Sequence, residues 1–152
     1  MTGIRRLHLL LTDDRAVLAL LPEALWHLFI ARIRLLFPFA RTASRLGRQS
    51  QETAGEVSAR DAHTIKRITR AIRGGSRLTP WKSTCMVRAV AALGMLERRG
   101  IESTLYMGVA RDKQGQMIAH AWLRSGPYYV SGDDVMRGFV VVQKFAKVIQ
   151  AE

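Results

Sequence analysis

The chain has 152 residues, 48% of them hydrophobic, with 24 Lys and Arg against 12 Asp and Glu for a net charge of +12. That length fills one domain able to bury about two-thirds of its unfolded surface, and the apolar share excludes a disordered chain. The charge calls for acidic partners of some kind. A single cysteine, Cys85, excludes an internal disulfide and a cysteine-rich zinc site, so neither metal nor cofactor is expected.

In chain order, the apolar run within Ile4–Leu11 is short, and Thr12-Asp13-Asp14-Arg15 stands where a small-residue cleavage site would be. No signal peptide is expected, and the cytoplasm is the default compartment. Ala16–Ala40 is interrupted by Pro22, Glu23, His27, Arg32, Arg34 and Pro38, so no membrane span is expected. Pro22 suits a first helical turn, and Leu25, Leu28, Phe29, Arg32, Leu35 and Leu36 recur at helical spacing until Phe37-Pro38. This amphipathic helix is expected to pack on the core, with docking on a protein or membrane surface as the other use of its face. Arg41–Arg60 is polar and weakly periodic, the pattern of a linker. Residues 1–56 therefore read as a helical lead-in with its linker, and 57–152 as the core.

Val57–Arg73 predicts a helix with Ile65, Ile68 and Ile72 on one stripe, ended by Gly74-Gly75. Arg60, Lys66, Arg67, Arg70, Arg73 and Arg77 form a basic run. A nucleic-acid-binding protein is one reading of it, but no aromatic platform or recognition motif accompanies the run, and a solvated helix face is preferred. Ser76–Ser83, containing Pro80, is a loop. Cys85–Leu96 is apolar on nearly every side except at Arg88, which predicts an enclosed helix ended near Gly100. The pattern then changes to strands: Ser103–Ala110, a hairpin loop over 111–116, Met117–Arg124, Tyr128–Ser131, and a fourth from Phe139 through Val142 or on to Val148. Helices preceding an antiparallel sheet define an α+β fold.

Three positions carry chemistry. Cys85 opens a helix, where unpaired backbone N–H groups favour negative charge on sulfur. A lone cysteine is more often a small core residue, so position alone does not make it a nucleophile. His120 lies in Ala119-His120-Ala121-Trp122-Leu123, sharing a strand face with Trp122 and Arg124. Ser131-Gly132-Asp133-Asp134 follows the next strand, and antiparallel pairing returns it toward His120. Taken alone, Gly-Asp-Asp reads as a solvated turn. In that order, cysteine, histidine and aspartate suit a thiol nucleophile with an oriented imidazole.

Pro80-Trp81-Lys82-Ser83-Thr84-Cys85, Leu96-Glu97-Arg98-Arg99-Gly100-Ile101, Gly108-Val109-Ala110-Arg111-Asp112 and Ala119-His120-Ala121-Trp122-Leu123 together resemble the transglutaminase-like, papain-like core of lasso-peptide biosynthesis B proteins. The likeness spans roughly residues 78–148, and Leu25–Phe39 resembles the family's helical lead-in. It implies a cysteine peptidase that removes the leader from a ribosomally made precursor, with Cys85 as nucleophile and His120 as general base and acid. Asp133 is implied as the orienting acid, with Asp134 as the alternative. Trp81, Ser83 and Thr84 are the oxyanion-site candidates beside the Cys85 backbone N–H. The chain resembles the split form, which works with a separate winged-helix leader-binding protein and an asparagine-synthetase-like cyclase. The same triad also serves transglutaminases and acyltransferases, where an amine replaces water.

Overall fold

In a computed structural model of the protein, the backbone is described for residues 2–149 and the side chains for residues 14–149. The Ile4–Leu11 side chains, on which the signal-peptide expectation falls, lie outside the described residues. Four helices precede most of a five-stranded antiparallel sheet, an α+β arrangement as the sequence pattern predicts.

The first helix, α1, runs Thr2–Arg34 and carries Pro22 in its interior, so Pro22 does not open it. Packing against a second long helix overrides the local proline signal. Ala24, Leu28 and Ala31 are buried, while Trp26, Phe29 and Ile33 on the same helix remain exposed, so one stripe packs and the other does not. By length and composition, Asp14–Arg34 is long and apolar enough to cross a membrane, at 21 residues and mean hydropathy 1.6. The interruptions noted in the sequence do not take it below that threshold, because the large aliphatic residues between them dominate the average.

The stretch read as a linker is structured. Helix α2 spans Phe39–Leu46, burying Thr42 and Leu46 one turn apart, and strand β1 (Arg48–Gln49) pairs with the last strand. Both elements are too short to leave a periodic signal. Beyond β1, the Thr53 backbone N–H donates to Thr104 Oγ1 at 2.9 Å, and Arg124 donates to the Thr53 carbonyl at 3.0 Å. Sheet contacts, not local propensity, hold this segment.

Helix α3 spans Ala59–Leu78, capped by Ser58, whose hydroxyl accepts from the Asp61 N–H. It continues through Gly74-Gly75, contrary to the expected stop. The glycines let the two helices approach: a Cβ at Gly75 would lie 3.3 Å from Leu28 Cδ1 and 3.6 Å from Ala24 Cβ. Helix α4, Cys85–Arg98, buries Val87, Ala89–Leu93, Met95 and Leu96. Glu23 accepts from both Nη1 and Nη2 of Arg99 at 2.7 and 2.6 Å, bracing α1 against the end of α4.

Strands β2 (Ser103–Arg111), β3 (Met117–Ser125), β4 (Tyr128–Ser131) and β5 (Val140–Lys147) complete the sheet, in the order β1-β5-β2-β3-β4. Leu105 pairs with both Leu123 and Phe145, and these three buried side chains join the helices in one core. By the two-residue period, His120, Trp122 and Arg124 project from the other face.

Candidate active site

Cys85 is the first residue of α4. Thr84 caps the helix, its Oγ1 accepting from the Val87 N–H at 3.4 Å, so the hydroxyl sits over the first turn. The thiol is half-buried and free. The preceding loop is tied by hydroxyl groups: Thr79 Oγ1 lies 3.0 Å from the Ser76 carbonyl, 3.1 Å from the Trp81 carbonyl and 2.8 Å from Ser83 Oγ. Ser83 is therefore engaged within the loop. Trp81 packs edge-on against Phe29 of α1 at 5.7 Å, and its buried indole N–H has no acceptor among the described residues. Of the three oxyanion candidates, Trp81 is the one whose polar atom has no hydrogen-bond partner among the described residues, while the Thr84 hydroxyl is engaged as an acceptor.

His120, 9% exposed, stands on β3 between two rings, Trp122 at 6.0 Å and Phe139 at 5.4 Å. The stack continues through Tyr106, 5.6 Å from Trp122, to Arg124, which donates to the Tyr106 hydroxyl at 3.0 Å. Gly108 makes room for it, since a Cβ there would lie 2.8 Å from the Trp122 ring. His120 Nε2 donates to the Gly132 carbonyl at 2.9 Å. A carbonyl only accepts, so Nε2 carries the proton and Nδ1 is left as the basic nitrogen of the neutral ring. Gly132 has φ +77°, and a Cβ on it would fall 2.6 Å from the Ala121 carbonyl and 3.0 Å from His120 Nε2, so glycine is required here. Spacing alone gave no sign of this glycine's role, although the Gly-Asp-Asp turn was visible.

Pairing of β3 with β4 brings Asp133 next in chain to the carbonyl that holds His120. The carboxylates of Asp133 and Asp134 are both exposed, and neither is hydrogen-bonded to the imidazole among the described residues. They line a concavity with Arg73, Arg77, Arg88 and Ser131. No hydrogen bond joins Cys85 to His120 among the described residues; the contacts that hold the imidazole come from the sheet and from the chain after β4. Among the described residues, no group of three His, Cys, Asp or Glu side chains is placed to hold a metal ion.

A thiol at a capped helix start and a histidine anchored on the sheet belong here to an α+β fold of the cysteine peptidase and acyltransferase type. The model of the transglutaminase-like superfamily matches residues 28–144, most of the chain, and the protein belongs to that superfamily. No curated protein and no solved structure matches it.

Proposed function

We propose that this protein is a cysteine peptidase that cleaves the leader from a ribosomally synthesised lasso-peptide precursor. The observation that carries the chemistry is the Nε2–H bond from His120 to the Gly132 carbonyl, which leaves Nδ1 free to take and return a proton. The choice of substrate rests on the resemblance of the Pro80–Cys85, Leu96–Ile101, Gly108–Asp112 and Ala119–Leu123 blocks to lasso-peptide biosynthesis B proteins.

In this reading, His120 accepts the Cys85 proton, and the thiolate attacks the carbonyl carbon at the junction of leader and core. The C–N bond breaks as the imidazolium gives its proton to the departing amine. Water, deprotonated by the same imidazole, then hydrolyses the leader thioester, releasing a free carboxylic acid and restoring the thiol. Hydrogen bonds of this kind often tighten only once substrate is bound. The Cys85 backbone N–H and the unpartnered Trp81 indole N–H are the donors for the oxyanion. Asp133, beside the Gly132 carbonyl, supplies negative charge near the imidazolium, with Asp134 as the alternative acid. The enzyme acts in the cytoplasm with a separate leader-binding protein and hands the core peptide to an asparagine-synthetase-like cyclase.

Mass spectrometry of a candidate precursor incubated with this protein and its leader-binding partner tests the reading. Leader released as a free acid together with intact core peptide is the expected result. Leader joined to an added amine makes the protein a transferase, and an untouched precursor overturns the proposal.

A further inference from the structure

Two members of the basic run on α3, Arg73 and Arg77, lie one turn apart and share a concavity of about 320 Å³ with Arg88 of α4 and Ser131 at the end of β4. None of the three guanidinium groups is ion-paired with Asp133 or Asp134, which form part of the same wall, or with any other carboxylate among the described residues. Ser131 is only 8% exposed, and its hydroxyl has no hydrogen-bond partner among the described residues; the Nε–H of Arg88 is buried and equally unused among them. Leaving such groups unsatisfied is costly, and an acceptor arriving from outside would relieve both. Three guanidinium groups against two carboxylates leave one net positive charge, which matches a single carboxylate better than a phosphate dianion.

Two residues that line the concavity adjoin the proposed reaction centre. One lining residue, Gly132, holds His120, and another, Arg88, follows Cys85 by one helical turn, its N–H bonded to the Thr84 carbonyl at 3.0 Å. We propose that the Arg73, Arg77, Arg88 and Ser131 concavity is a carboxylate subsite that takes an acidic side chain of the peptide substrate near the bond to be cut. This rests on the peptidase reading for the identity of the ligand. The Arg88 Nε–H and the Ser131 hydroxyl donate to the carboxylate oxygens, while Arg73 and Arg77 supply charge from the more exposed rim.

The test follows the arginine Nε–Hε signals of the full-length protein by NMR during titration with the end-blocked tripeptide Gly-Asp-Gly, its Gly-Asn-Gly counterpart and inorganic phosphate. The aspartyl peptide should shift the Arg88 signal saturably, with the asparaginyl peptide and phosphate at least tenfold weaker. Arg88→Gln, followed through the remaining arginine signals, and Ser131→Ala should each weaken binding about tenfold, and the surface changes Arg73→Gln and Arg77→Gln about threefold. Equal responses to the aspartyl and asparaginyl peptides, a preference for phosphate, or variants that bind as wild type would overturn the subsite. Binding is read here without turnover. A lost subsite with precursor cleavage intact removes this inference alone, and intact binding without cleavage removes the peptidase reading alone.

Discussion

The seam between α1 and α4 and the pocket between β3 and the turn after β4 each enclose one histidine, by different physics. In the seam, His27 fills the space left by Gly94, where a Cβ would come within 2.7 Å of its Nδ1. Burial holds its proton affinity below the ordinary value, with Glu23 at 3.8 Å acting in the opposite sense. Glu23 is kept below the usual carboxylate range by the hydrogen bonds from Arg99. These groups are matched to one another and brace two helices. In the sheet pocket, the His120 ring is flanked by aromatic faces, one nitrogen is anchored on a backbone carbonyl, and the other has no hydrogen-bond partner among the described residues. Filling the gap between two helices makes a structural histidine; anchoring at one nitrogen makes one that can move a proton.

The comparison breaks most sharply with catalytic variants. Cys85→Ala should lower precursor cleavage at least a thousandfold while leaving the thermal midpoint nearly unchanged, and His120→Ala should come close to it in activity. Measured by initial rates of leader release, Asp133→Ala should lose at least tenfold and Asp134→Ala much less; the reverse order would make Asp134 the orienting acid. Gly132→Ala should act on both stability and rate, because a side chain at φ +77° strikes the Ala121 carbonyl and displaces the anchor of His120. A loss of about 1–3 kcal/mol by denaturant titration, with about tenfold slower cleavage, is expected.

In the seam the order inverts, with stability moving and chemistry unaffected. Glu23→Gln removes a two-point charge-assisted bond to Arg99 and should cost about 1–3 kcal/mol in unfolding free energy, with cleavage per folded molecule unchanged. The smallest expected effect is on pH dependence. Burial holds the folded-state proton affinity of His27 below the ordinary imidazole value of 6.5, so the unfolded chain binds the proton more readily. Its contribution to stability is complete above about pH 6.5 and is lost as the pH falls from there toward the lowered folded value. Glu23, lowered from 4.5, adds a further loss at more acidic pH. Urea midpoints at pH 7.5 and 5.5 should differ in that direction, and His27→Gln should shrink the difference.

Much of the fold was legible because its signals are local. The stripe of Ile65, Ile68 and Ile72, the apolar run after Cys85 and the strand residues around Leu105 and Leu123 each occupy the core. Cys85 at a helix start and His120 on a strand were legible for the same reason. Misreadings arose where distant contacts decide. Pro22 and Gly74-Gly75 look like boundaries in isolation, yet both lie inside long helices that pack on one another, and the glycines are the means of contact. The supposed linker is held by the sheet through Thr53 and Arg48. The use of a backbone carbonyl to hold His120 leaves no mark on residue types except at Gly132, whose positive φ becomes visible only in three dimensions.

The central claim is that the Cys85 sulfur forms a bond to the leader carbonyl. Acid-quenched mass spectrometry of the protein mixed with precursor and leader-binding partner tests it most directly. The account predicts a transient adduct on the Cys85 peptide, equal to the leader acid less one water, that decays to free leader. Cleavage that proceeds at the wild-type rate in Cys85→Ala, with no adduct at any time, would contradict it.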